Sequence, residues 1–228
     1  MTERTSHPQP QQDYIPGLGK HVLQPLYDLV HHAAGLRRIH SEMISLAELG
    51  DGHRVLDVGC GTGQLLRSIG RRHAGVDLVG LDPDPQALAR AERKTRRAGL
   101  TARLDNGFAQ DLPYPDDAFD RVFSSLMLHH LDSAAKDALL AEVRRVLRPD
   151  GLLILADAKL DEHGHDWGHG HRGMRGRMRD NIGDAVPRRI TAAGFTLAST
   201  RTMRLRIGGA VGIELAHRER EPIDEFRS

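Results

Sequence analysis

Nine residues, Val55-Leu56-Asp57-Val58-Gly59-Cys60-Gly61-Thr62-Gly63, constrain this chain more than any other stretch. An apolar run carrying one acid gives way to three glycines at alternate positions, and Gln64-Leu65-Leu66-Arg67-Ser68-Ile69 begins a helical pattern. The spacing predicts a short buried strand, a tight turn and a helix N-terminus. Glycine serves where the backbone turns with positive φ or meets a ligand without a Cβ in the way. A helix start offers unpaired N–H groups and the positive end of a dipole, so an anionic or polar ligand end is expected there.

A dinucleotide fingerprint, G-x-G-x-x-G, would require glycine where Gln64 stands. The nine residues instead match, at every position, the V-L-D-x-G-C-G-T-G of motif I in the class I S-adenosylmethionine-dependent methyltransferases, and the chain resembles that family. The resemblance implies an α/β fold: a Rossmann-like, seven-stranded, mostly parallel sheet with helices on both faces, the last strand antiparallel, and an N-terminal helical cap. It also implies S-adenosyl-L-methionine as methyl donor, with S-adenosyl-L-homocysteine as product. Gly59, Cys60, Gly61 and Gly63 would let the backbone approach the cofactor, and Asp57 would anchor its amino or carboxylate end.

Composition narrows the classes further. A chain of 228 residues with 39% hydrophobic and 28% charged residues suits a single soluble domain. A net charge of +1 gives no global reason to expect nucleic acid or an acidic membrane as partner. One cysteine excludes an internal disulfide and most cysteine-built metal sites. The polar, Pro- and Gln-rich residues 1–12 lack the apolar core of a signal peptide, and no apolar run is long enough to span a bilayer. A cytoplasmic protein with a disordered tip is expected.

Ahead of the motif, Val22, Leu23, Leu26, Leu29 and Val30, then Leu36, Ile39, Met43, Ile44, Leu46 and Leu49, recur at helical spacing, with Gly50-Asp51-Gly52 as the stop. In the resembled family such helices cover the cofactor and form part of the acceptor pocket. Tyr14, Tyr27, His31 and His32 are therefore pocket candidates, against ordinary surface and packing roles. Beyond the motif, Val76 to Leu81 predicts a second strand ending at Asp82, nineteen residues past Gly63. An acid there is placed to accept hydrogen bonds from both ribose hydroxyls of an adenosine, with Pro83 beside it. Asp84 and Pro85 supply the N-cap and first position of a helix that Gly99 closes.

Thr101 to Asp105 predicts a third strand, and the segment after it resembles the family's G-D-A-x-x-L-P-F with Phe108 in place of the acid that faces adenine. The resemblance puts Phe108 and Ala109 beside the adenine and leaves its amino group to backbone, Gln110 or Asp111. The fourth strand, Phe119 to Ser125, runs into Leu126-Met127-Leu128-His129-His130-Leu131. Ser125 would contact the amino group of the methionine end. His129 and His130 are candidate general bases, since a neutral imidazole has a suitable pKa near pH 7, although the same segment can serve as scaffold. Leu152 to Ala156 is the continuous apolar run of a central parallel strand. A helix from Asp184 to Ala193 and strands at Phe195–Ile207 and Ala210–His217 complete the pattern.

Residues 159–181 break it, with His163, His165, His169 and His171 followed by Arg172, Arg175, Arg177 and Arg179. A loop this long is usually functional or disordered. A solvated lid, a lid that brings a base and arginines to an anionic acceptor, and a floppy histidine metal site all fit. A resident metal is not expected.

The organisation is thus one domain over 1–228: tip 1–12, helical cap 13–50, cofactor-binding core 51–158, lid loop 159–181, and final helix and strand pair 182–218. The expected activity is methyl transfer to O, N or C of a small organic acceptor, anionic acceptors included, with no nucleic acid and no integral membrane association; the oligomeric state is left open. A sulfonium is already an activated donor, so alignment, which can supply about 7–11 kcal/mol, replaces a protein nucleophile. A non-catalytic cofactor-binding or interaction protein, and an NAD-dependent oxidoreductase lacking the third glycine, are the alternatives.

Overall fold

The computed structural model describes residues 35–159, 181–204 and 210–218. The tip, the first expected helix with Tyr14, Tyr27, His31 and His32, and the histidine and arginine positions from His163 to Arg179 lie outside the described residues. In chain order the elements are α1 (Leu36–Leu46), β1 (Arg54–Val58), α2 (Gln64–Gly70), β2 (Asp77–Asp82), α3 (Pro85–Arg97), β3 (Arg103–Asn106), β4 (Phe119–Ser125), a single 3-10 turn (Leu128–His130), α4 (Ser133–Val146), β5 (Leu147–Lys159), α5 (Ala185–Ala192), β6 (Phe195–Arg204) and β7 (Ala210–Arg218).

The seven strands form one sheet in the order β3-β2-β1-β4-β5-β7-β6. The pairs β1–β2, β1–β4, β2–β3 and β4–β5 are parallel, and β7 runs antiparallel to both β5 and β6. The order reverses beside β1, so the carboxyl ends of β1 and β4 flank a topological switch point, where open α/β sheets bind ligands.

Alternation along the strands divides the core. One face packs Leu56, Val58, Val122, Leu153 and Leu155 against Leu139, Leu140 and Val143 of α4 and Ile190 of α5. The other packs Val55, Phe123, Ile154 and Ile213 against Ile39 and Met43 of α1 and Leu65, Leu66 and Ile69 of α2. At about 25 cal/mol per Å² of apolar surface, burial of these two layers is the main force holding the sheet. Helix α1, the second of the two helices expected ahead of β1, packs one face into this core, where Met43 is fully buried.

Several boundaries differ from expectation. Helix α1 stops at Leu46, and the left-handed residue behind it is Glu48 at φ 46°, so the chain turns before Gly50. Strand β5 begins at Leu147, not Leu152. Leu147 pairs with Phe119 and Leu152 with Arg121, so Arg148 to Gly151 bulge out of register, with Asp150 at φ 68°. Among the described residues no helix is long and apolar enough to cross a membrane, and no group of His, Cys, Asp or Glu is arranged to hold a metal ion.

Candidate cofactor site

The motif folds as a strand, turn and helix, and each glycine has its own reason to be there. Gly59, Gly61 and Gly63 have φ of 74°, 51° and 73°. A Cβ on Gly59 would lie 2.4 Å from Met127 Cγ, and one on Gly63 would lie 3.0 Å from Ala91 Cβ, so these two let the 3-10 turn and α3 close onto the loop. A Cβ on Gly61 would meet nothing within 4 Å among the described residues. Of the three motif glycines, Gly61 is the one whose Cβ would face open space among the described residues. Gly59→Ala should cost about 2–4 kcal/mol, from strained backbone and overpacking, and lower Tm sharply. Gly61→Ala should lose only about 1 kcal/mol of stability while weakening ligand binding. Thermal melts with and without ligand check the pair.

The backbone N–H groups of the turn are largely consumed by its own closure. Gly59 and Cys60 both donate to Leu81 O (2.8 and 3.0 Å), and Gly63 donates to Cys60 O (2.9 Å). Gly61 donates to Asp82 Oδ2 at 2.8 Å. Helix α2 is only seven residues long. Four N–H groups of the turn are thus spent within the protein.

Two buried carboxyls flank the turn instead. Asp57 at the end of β1 is 2% exposed and Asp82 at the end of β2 is 8% exposed. Burial pushes Asp57 up to about 8, with the nearby Asp82 charge adding to the effect. Burial also raises Asp82, against hydrogen bonds from the Asp84 and Gly61 N–H groups. Asp82 Oδ1 accepts from Asp84 N at 2.9 Å, so each oxygen has one protein donor and keeps a lone pair for a ligand. A buried acid pair of this kind suits an ammonium or a hydroxyl donor better than a phosphate.

The other expected residues line the same carboxyl edge with different aptitudes. Cys60 has turned inward: its Sγ lies 2.9 Å from where a Gly80 Cβ would stand, and burial, Asp57 and Asp82 all raise its thiol pKa. With its N–H and carbonyl also spent, Cys60 is a packing residue, and the helix start does not activate it. Asp84 fills the N-cap of α3, accepting from Gln86 N at 2.8 Å, which leaves Pro83 as the link from Asp82 to that cap. Beyond β3, Phe108 is 38% exposed while Ala109 is buried. Lys94 Nζ donates to Thr62 Oγ1 at 2.9 Å and ties α3 to the turn.

Ser125, at the end of β4, lies 3.2 Å through its Oγ from Nε2 of His40 on α1. The next residue, Leu126, holds φ at 54°, an unusual conformation for a bulky side chain, fixed by its N–H donating to Ala156 O at 2.8 Å. His129 and His130 follow on the 3-10 turn with ring centroids 4.2 Å apart. The two are not equivalent. His129 Nδ1 sits 2.5 Å from Asp157 Oδ1, and its backbone N–H donates to Asp157 Oδ2 at 2.7 Å. Burial disfavours the imidazolium, but the Asp157 carboxylate outweighs it and raises the His129 pKa. A carboxylate on Nδ1 fixes the tautomer and leaves Nε2 as the working nitrogen.

Residues 55–151 match the methyltransferase domain family. The chain is 33% identical over 126 residues to an uncharacterized methyltransferase of Synechocystis sp., covering 55% of this chain and 57% of that one. It is 33% identical over 138 residues to a demethylmenaquinone methyltransferase of Thermus thermophilus, covering 59% and 62%. The chain thus spans less than two thirds of the length of either relative. Among solved structures, the [4+2]-cyclase SpnF superimposes with a TM-score of 0.69 at 22% identity, covering 81% of both chains. A methyltransferase from Aquifex aeolicus gives 0.64 at 19%, covering 87% of this chain and 100% of its own. These two likenesses show the fold alone.

His40, Asp157, Lys136 and Asn181 escaped the sequence reading. His40 shares the buried stripe of α1 with Leu36 and Met43, and Lys136 that of α4 with Leu139 and Leu140. A polar residue on an apolar helical stripe was the available signal.

Proposed function

We propose that this protein transfers the methyl group of S-adenosylmethionine to a small organic acceptor. The observation that carries the proposal is the pair of buried carboxyls, Asp57 and Asp82, on either side of a glycine turn whose middle residue faces open space. A donor carrying an ammonium, a sulfonium and a ribose diol presents cations and hydroxyl donors, which suit buried acids; a pyrophosphate does not, and this weighs against NAD. Asp57 takes the amino end, Asp82 the ribose, and Phe108 and Ala109 the adenine, with Ser125 near the methionine end and Gly61 leaving room for the chain. Bound there, the donor would supply an activated methyl carbon, to be taken by an electron pair on an O, N or C atom of the acceptor as the carbon–sulfur bond breaks.

His129, held by Asp157, takes the proton the acceptor loses, and His130 stacks against it. The relatives named as demethylmenaquinone and 24-methylenesterol methyltransferases favour an apolar, ring-bearing acceptor, with a cytoplasmic enzyme meeting it. Calorimetry with S-adenosylhomocysteine, followed by transfer of a labelled methyl group to a panel of hydroquinones and sterols, tests this. Binding of NAD in place of S-adenosylhomocysteine would overturn it, and binding without transfer to any acceptor would favour a non-catalytic protein. With an active acceptor in hand, His129→Ala should lower kcat by about 10²–10⁴-fold and leave S-adenosylhomocysteine affinity unchanged. His130→Ala should have a smaller effect.

A further inference from the structure

The sheet face beneath α4 and α5 carries a second group of polar side chains at the carboxyl end of β5. On β7, Glu214 lies opposite Leu155 of β5 and Thr200 of β6, and Gly212 lies opposite Asp157. Gly212 leaves the space beside Asp157 unfilled, and the Glu214 side chain bends toward it: a Cβ on Gly212 would come within 2.9 Å of Glu214 Oε1. Asn181, Gly183, Val186 and Pro187 enclose the rest, forming a pocket with room for about one water molecule.

Two polar atoms of side chains lining this pocket have no partner among the described residues. Glu214 Oε2 and Asn181 Nδ2 are both buried and unbonded, on side chains of residues only 3% and 1% exposed. The amide cannot simply be turned over. Lys136 Nζ, a donor only, donates to Asn181 Oδ1 at 2.9 Å, which fixes Nδ2 as the unbonded end. Buried polar groups are normally satisfied by protein or by an ordered guest.

We propose that Asn181 and Glu214 hold one neutral hydroxyl group, its oxygen accepting from Asn181 Nδ2 and its hydrogen donated to Glu214 Oε2, next to the His129–Asp157 pair. An ammonium cannot accept from the amide. An anion meets two carboxyls, Asp157 and Glu214. Of the cations here, buried Lys136 is bonded to Asn181 Oδ1, and half-buried Lys159 is engaged by Asp184 at 3.8 Å and by Thr202 Oγ1 at 3.5 Å. Burial pushes Glu214 up to about 7, opposed by Thr200 and Lys159 and reinforced by Asp184. A hydroxyl serves either protonation state, because it can rotate to accept from the acid or donate to the carboxylate.

The hydroxyl can come from a resident water or from an organic molecule entering past Asp157. High-resolution crystals of the full chain, without donor or acceptor, test the proposal independently of methyl transfer. One oxygen peak within hydrogen-bond distance of both Asn181 Nδ2 and Glu214 Oε2 is expected, lost in Glu214→Met. A soak in ethylene glycol separates the sources: a lone oxygen that persists is a resident water, and continuous alcohol density shows that an organic hydroxyl enters. An empty pocket, both atoms bonded to protein groups, or a peak unchanged in Glu214→Met overturns the proposal.

Discussion

Asp82→Ala should reduce affinity for S-adenosylhomocysteine by about 100-fold or more in calorimetry, the largest loss expected from any single change at the site. Each ribose hydroxyl donating to an ionised carboxylate is worth about 1.5–3 kcal/mol, and the alanine loses both. The same carboxylate also accepts the N–H groups of Gly61 and Asp84, so Tm should fall as well. Asp84→Ala separates the two effects. It removes the cap of α3, where the Asp84 side chain accepts from Gln86 N, and should cost about 1 kcal/mol of stability with affinity retained. Equal affinity for wild type and Asp82→Ala would remove the ribose role and leave Asp82 as a brace for the glycine turn.

The strands around the site were legible because their signals are local. An apolar run ended by an acid, alternate glycines, and Asp-Pro opening a helix all lie within a few residues of one another, and β1, β2, β4 and the cap at Asp84 stand where these signals placed them. What escaped depends on residues that meet only in three dimensions. Strand β7 slots between β5 and β6, a pairing that chain order does not announce. Leu81, from the neighbouring strand, offers its carbonyl to the N–H groups of Gly59 and Cys60 and so closes the turn. Asp157 looked like the end of an apolar run, yet it positions His129 across 28 residues of chain. The mutual influence of Asp57 and Asp82 likewise arises only when β1 and β2 lie side by side.

That influence predicts a strong pH dependence of binding. In the free protein Asp57 is raised to about 8, by burial first and by Asp82 second, so near neutrality it is mostly protonated. An ammonium beside it favours the carboxylate, so the ligand lowers its pKa and expels the proton. By linkage, affinity for S-adenosylhomocysteine should rise by roughly tenfold per pH unit between about pH 6 and 7, levelling off near pH 8. Calorimetry in buffers of differing ionisation enthalpy should detect release of nearly one proton per ligand at pH 6.5. The stability of the free protein should move the other way. A carboxyl raised above its unfolded value contributes most below that value, near pH 4, and its contribution is lost as pH rises through the folded pKa. Asp57 and Glu214, the latter raised to about 7, therefore both lower Tm between pH 5 and 8, and only the Asp57 share is relieved by ligand. Asp57→Asn should flatten the pH dependence of binding and keep that of Glu214 in the melts. Affinity that does not change with pH in the wild type would mean that Asp57 keeps its proton and meets the carboxylate end of the ligand instead.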